Sequence, residues 1–361
     1  MKDSVEAIKN VGHLLDVWMP LKIKHDKTPG VSIGITYKES LLYKKGFGFS
    51  DLKNKTPTHE NTLYHIASIS KMFTAIAILQ LVEAEKLQLD DPVVKYIPWF
   101  KAKTKTTDSK YITIRHLLSH LSGIFRDGDT AHWENGNFPK NLSRSFSSKS
   151  LILETLSKFK YSNYGYALLG EIIQTITKGA YETYVKNNIL IPLGMHSTFP
   201  DYSREIGNVS IATGYGKEFP DENRQTFEHF QTHAYAPATG FLSNVTDLAH
   251  FLPLFSSQYR EKTPILGRNL IKEMMRPHGK TTDSEEYGLG VDVVEISKRS
   301  IVGHSGGFQG FLTRVLVDEK NGFGVIALSN SLHASTAYEV ASGILKSIYA
   351  FLDNKKVYSG K

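Results

Sequence analysis

His65-Ile66-Ala67-Ser68-Ile69-Ser70-Lys71-Met72-Phe73 opens an apolar run that reaches Val82 with only Thr74 and Gln80 as polar interruptions. No charge follows Lys71 until Glu83. A helix apolar on nearly every side belongs inside a protein rather than on its surface. Residues 62–66 form a short predicted strand, so Ser68 and Lys71 stand where extended chain passes into that helix. At a spacing of three, their side chains share one helical face and come within reach of each other. Lys71 at the mouth of a buried helix loses hydration, which lowers its pKa and equips it to act as a base. The same residues are also consistent with a serine-capped helix and a solvated first-turn lysine. Spacing alone leaves both readings open.

Working outward, residues 5–19 carry Ile8, Val11, Leu14, Leu15 and Trp18 at helical spacing, and Pro20 is expected to end that helix. Residues 31–37 and 41–49 are β-rich and flank the turn Lys38-Glu39-Ser40. Beyond the apolar helix, Leu89-Asp90-Asp91-Pro92 is a breaker, 112–118 begins a further helix, and Ser122-Gly123 ends it. Tyr161-Ser162-Asn163 precedes a helical pattern over 164–177, and Asn244-Val245-Thr246-Asp247 has the form of a helix N-cap. The last quarter returns to strands at 287–296, 300–304 and 311–318, with Asn321-Gly322 turning into 323–329, before a helix over 334–352. Strands at both ends with helices between them predict an α/β chain: a sheet lobe from residues 1–67 and 270–361, and a mainly helical lobe from 68–269. The irregular stretches 127–149 and 200–237 are expected to rim whatever site lies between the lobes.

Composition narrows the function classes. The 361 residues are 40% hydrophobic and 22% charged, values ordinary for a globular protein, and include no cysteine. Disulfides, thiolate metal sites and a cysteine nucleophile are therefore excluded. The net charge of +7 is spread thinly, and basic patches such as Lys101-Ala102-Lys103-Thr104-Lys105 lack interleaved aromatics, which argues against nucleic acid. His116 and His120, like His229 and His233, are four apart, but neither pair has the glutamate or evident third ligand of a zinc site, so no metal is expected. The run to Val82 is shorter than the ~20 residues that span a bilayer. The N-terminus Met1-Lys2-Asp3-Ser4-Val5-Glu6 has acids where a signal peptide needs a basic flank, so a cytoplasmic protein is expected. A chain trimmed of its leader would read the same and be periplasmic or secreted.

Two further segments join Ser68-x-x-Lys71: Tyr161-x-Asn163, and Gly303-His304-Ser305-Gly306-Gly307, which is expected at a strand end. S-x-x-K with two such partners resembles the serine β-lactamases and penicillin-binding proteins. Tyr-x-Asn in second place is similar to the class C branch, with its esterases and D-aminopeptidases. The phrases at 112–120, Pro192-Leu193-Gly194-Met195 and Tyr287-Gly288-Leu289-Gly290 extend the resemblance over nearly the whole chain.

The resemblance implies a β-lactamase/transpeptidase-like fold, mainly antiparallel sheet flanked by helices plus an inserted helical lobe. It implies Ser68 as the acyl-forming nucleophile, Lys71 as the acceptor of its proton, and Tyr161 as the relay that later activates water. Asn163, His304, Ser305 and Gly306 would bind substrate, and the N–H groups of Ser68 and Gly307 would form the oxyanion hole. No cofactor is implied, and the partner is a small ester, amide or β-lactam. One departure matters: His304 stands where β-lactamases usually carry lysine. Histidine is mostly neutral at pH 7, so esters or D-amino-acid amides are expected ahead of β-lactams. A true class C β-lactamase or a D-Ala-D-Ala carboxypeptidase is the alternative, and a non-hydrolysing penicillin sensor a remote one. Gly303-His304-Ser305-Gly306-Gly307 also fits the G-x-S-x-G elbow of α/β-hydrolases, but only Asp318 and His333 follow it, across a single predicted hairpin.

Overall fold

The protein is represented by a computed structural model that describes residues 2–101, 108–128, 136–145, 155–156, 158–206, 209–219, 223–258, 265–282 and 285–359. Parts of the basic run at 101–105 and of the irregular stretches 127–149 and 200–237 lie outside these residues.

β-rich segments near both ends pair into one sheet. Its strands are β1 (Gly30–Tyr37), β2 (Ser40–Asp51), β3 (Thr56–Pro57), β4 (Gly279–Lys280), β5 (Glu285–Tyr287), β6 (Asp292–Ile296), β7 (Arg299–Phe308), β8 (Phe311–Asp318) and β9 (Phe323–Ser329). Among the described residues they run antiparallel in the order β3-β2-β1-β9-β8-β7-β6-β5-β4. β1 and β9 join the two ends of the chain at the sheet centre, with Val31 opposite Ser329 and Tyr37 opposite Phe323.

Alternation assigns the two faces. Val31, Ile33, Ile35, Ile301, Leu316, Val325 and Ala327 pack against α1 (Lys2–His25) and the C-terminal helix Thr336–Ser359. Val302, Phe308, Val315, Val317, Ile326 and Leu328 face the second core, which contains α2 (Ser70–Glu83). Eleven of the fourteen α2 residues are buried, as its all-round apolar surface requires. α4 (Asn163–Thr177) packs on it, and α3 (Ile114–Leu118) and α5 (Val245–Phe251) contribute to the same core; the three helices are capped by Ser162, Thr113 and Asn244 in turn.

Three expectations are corrected. Pro20 does not end α1, which continues to His25. Pro20 is exposed, so the carbonyl it leaves without a donor faces water, while Met19 and Ile23 on the inner face keep the helix anchored. The expected strand 287–296 is broken: Gly288 N–H bonds to Val291 O, and Gly290 adopts φ +81°. A side chain at Gly290 would press on the Lys71 carbonyl and the Tyr166 hydroxyl, so the bend is where this edge folds onto α2. Finally, Gly303-His304-Ser305-Gly306-Gly307 lies inside β7 rather than at its end.

Candidate active site

Ser68 sits in a single 3-10 turn, Ala67–Ile69, that leads into α2. Ala67 takes φ +51°, a left-handed backbone that costs an L-residue about 1–2 kcal/mol. Surrounding bonds hold the turn there. Ser70 Oγ donates to Ala67 O (2.5 Å) and accepts from Phe241 N–H (3.1 Å), and Thr313 Oγ1 donates to Ile66 O (3.1 Å). Strain concentrated one residue before a half-buried serine is a mark of functional backbone.

Lys71 is fully buried, with Nζ 3.2 Å from Ser68 Oγ, 2.7 Å from Asn163 Oδ1 and 2.7 Å from Ala238 O. Burial is the main influence on the ammonium and drives its pKa well below the ordinary lysine value, against the opposing pull of Asp127. Asn163 is the first residue of α4, and its Nδ2 donates to Asp127 Oδ1 at 2.6 Å. That bond fixes which way the amide faces and turns its oxygen toward Lys71.

Tyr161 lies half-buried beside them, its ring 4.8 Å from Lys71 Nζ. Burial raises its pKa well above the usual phenol value, with the Ser68 hydroxyl bonded to it pulling the other way. At neutral pH it is a phenol. The Arg126 guanidinium lies 5.8 Å from the same ring and pairs with Asp127 at 3.2 Å.

His304 is buried within 6.4 Å of the Tyr161 ring. Its Nδ1–H donates to Ser305 O (2.6 Å), which leaves Nε2 to accept from the Tyr287 hydroxyl (2.9 Å). Desolvation depresses its pKa to about 4, so the ring is neutral at physiological pH. Side-chain alternation puts Ser305 on the opposite face from His304, where Arg314 reaches across β7 to Asp292 (2.9 Å). Ser305 is thus brought to this region by its backbone, not by its hydroxyl. It is also no nucleophile elbow, because an elbow needs a strand-to-helix turn and Ser305 lies inside a hairpin strand.

β6 pairs with β7 only as far as Gly303, so residues 304–308 keep one strand edge free of β6. Gly306 is crowded: a Cβ there would overlap Ile66 O and Thr313 Oγ1. Gly307 is exposed, and a Cβ would meet only Leu312 at 3.7 Å. The two glycines therefore have different reasons to be there.

The structure brings Ser68, Lys71, Tyr161, Asn163 and His304 into one cluster and adds two residues that the motifs gave no role there, Asp127 and His120. Asp127 falls in a stretch without periodicity. His120, buried past the end of α3 at φ +60°, accepts from Ser162 N–H through Nδ1, and its ring lies tilted against Tyr161 with centroids 4.3 Å apart. His116 instead caps α3 by accepting from Thr113 N–H, so the two histidines do not share a helical face. His229 Nδ1 lies 3.1 Å from His65 Nε2 rather than turning toward a site shared with His233. Among the described residues no three His, Asp or Glu side chains are grouped as a metal site needs, and no helix is long and apolar enough to cross a membrane.

A strained serine turn, a buried lysine beside it and a Tyr-x-Asn helix start lie together against the edge of an antiparallel sheet, the arrangement that the resemblance to β-lactamases and penicillin-binding proteins implies. The family model Beta-lactamase matches residues 11–346, and the chain belongs to that family. Penicillin-binding protein 4* of Bacillus subtilis (strain 168) is 30% identical over 322 residues, covering 83% of this chain and 68% of that one. Protein flp of Staphylococcus aureus (strain N315) is 29% identical over 324 residues, covering 85% of this chain; the match spans 61% of the staphylococcal protein. The octameric penicillin-binding protein homologue from Pyrococcus abyssi superposes with TM-score 0.80 at 28% identity, over 92% of this chain and 77% of that one. A D-amino acid amidase from Ochrobactrum anthropi SV3 shares the fold, with TM-score 0.78 at 21% identity over 98% and 99% of the two chains.

Proposed function

We propose that the protein is a serine hydrolase that cleaves small esters or D-amino-acid amides through an acyl-enzyme on Ser68. The observation that carries this is the set of three partners around Lys71 Nζ. A neutral amine has two N–H bonds and one lone pair. Asn163 Oδ1 and Ala238 O, both at 2.7 Å, take the two hydrogens, and the lone pair is left for the Ser68 hydroxyl at 3.2 Å. Ser68 O–H passes its proton to Nζ as Oγ attacks the substrate carbonyl carbon. The negative charge that forms on the carbonyl oxygen is received by the N–H groups of Ser68 and Gly307, each such donor typically contributing about 3 kcal/mol. Tyr161, a phenol rather than a phenolate, gives its proton to the departing alkoxide or amine and regains one from Lys71. Water then attacks the acyl carbonyl and passes its proton through the Tyr161 phenol to neutral Lys71, and Lys71 returns that proton to Ser68 Oγ as the acyl–oxygen bond breaks.

Substrate preference follows from His304. A neutral imidazole tied to Tyr287 and Ser305 offers no fixed positive charge for the carboxylate of a β-lactam. Similarity in fold to a D-amino acid amidase accords with this preference. A p-nitrophenyl ester is expected to be hydrolysed at least about tenfold faster than nitrocefin, a difference of ~1.4 kcal/mol in barrier. Faster nitrocefin turnover overturns the preference and favours the β-lactamase reading.

The pH profile carries the sign of the proposed base. Lys71 acts only when neutral, so kcat/KM rises with pH through its depressed pKa and is lost below it. His304 is already neutral above about 4 and contributes no inflection in the neutral range. A rate that falls as pH rises through neutrality contradicts Lys71 as the base.

A further inference from the structure

We infer that a cavity behind the catalytic lysine is an effector site for small molecules bearing a primary ammonium group, with amino acids as the class that fits. The cavity measures about 370 Å³, within the roughly 300–1,000 Å³ of small-molecule sites. One face of α4 lines it, including Gly170, Glu171 and Gln174, and Pro237 closes against Gly170.

Its charged groups have no protein partner among the described residues. Glu171, Glu182 and Lys140 all line the cavity, and none makes an ion pair or hydrogen bond among the described residues. Glu171 is half-buried, and burial raises its pKa with nothing opposing. A carboxylate withdrawn from water without a cation beside it is a group waiting for a partner. Two carboxylates against one ammonium give the cavity an excess negative charge, since burial keeps the neighbouring His233 neutral. An amino acid matches this set: its ammonium meets the carboxylates and its carboxylate meets Lys140 at the exposed rim. Ala234 and Pro237 supply an apolar wall for a short side chain.

The same walls hold the nucleophile helix. Thr74 lies one turn after Lys71 on α2, and its Oγ1 bonds with Tyr181 Oη and Pro237 O, both at 2.6 Å. Tyr181 and Pro237 line the cavity, and the next carbonyl, Ala238 O, accepts from Lys71. An occupant therefore presses on the segment that orients the lysine, and one packed layer connects it to the catalytic side. The binding half of the inference stands apart from the reaction proposed above; only the effector half rests on it.

The test is calorimetric titration of the full chain with L-alanine and with L-alaninamide, whose hand keeps it outside the D-amide hydrolysis proposed above, alongside p-nitrophenyl acetate hydrolysis with and without saturating L-alanine. Alanine should bind saturably and change the ester rate at least about twofold. The E171Q/E182Q variant should keep the basal rate, bind alanine about tenfold or more weakly, and lose the rate effect. K140E should weaken alanine and strengthen alaninamide, a reversal that general unfolding cannot produce. Absence of saturable binding overturns the site. Equal binding by wild type and E171Q/E182Q also overturns it and places the alanine in the Ser68 groove. Binding without a rate change removes the effector role, and a wild type inactive on the ester indicts the proposed reaction rather than the cavity.

Discussion

Lys71→Met should lower kcat/KM for a p-nitrophenyl ester by roughly a thousandfold, within the 10²–10⁴ range of general acid–base contributions. Methionine fills much of the lysine's volume, so α2 keeps its packing and circular dichroism should be unchanged. What disappears is the one group among the described residues that touches Ser68, Asn163 and Ala238 together. A variant with wild-type activity would mean that the serine is activated by something else, and the proposed role of Lys71 would fall.

Gly306→Ala should be the most damaging single-methyl change in this region. Its Cβ would land on Ile66 O and Thr313 Oγ1, atoms already bonded to each other at 3.1 Å. Overpacking of this kind costs about 1–3 kcal/mol, and here the atoms that must yield carry the turn of Ser68. A lowered melting temperature and a large loss of ester hydrolysis are expected together. Gly307→Ala is the control, since its Cβ meets only Leu312 in ordinary contact and should change stability by less than about 0.5 kcal/mol. Similar melting temperatures for the two variants would show that β7 is not pressed against the serine turn.

Much of this was legible in the residues. The apolar run after Lys71 announced a buried helix, and the β-rich segments near both ends announced a sheet closed by β1 and β9. Ser68 and Lys71 met because helical spacing brings i and i+3 together, even though the serine itself lies in a 3-10 turn. Other features were hidden for physical reasons. The extension of α1 past Pro20 depends on which face the proline occupies, and periodicity weighs that less than the missing N–H. The break at Gly288–Val291 and the strain at Ala67 come from tertiary contact with α2, which no local propensity encodes. Asp127 orients Asn163 from a stretch whose composition carries no pattern. The side of β7 on which Ser305 lies needed the register with β8. The neutrality of His304 was expected from its reference pKa, but its fixed tautomer required Tyr287 and the Ser305 carbonyl.

The central claim is that Ser68 is the residue acylated. Labelling the protein with a fluorophosphonate and mapping the modified peptide by mass spectrometry tests it most directly. A single adduct on Ser68, lost in Ser68→Ala and slowed in Lys71→Met, is the predicted result; an adduct on Ser305, or labelling that persists in Ser68→Ala, would contradict it.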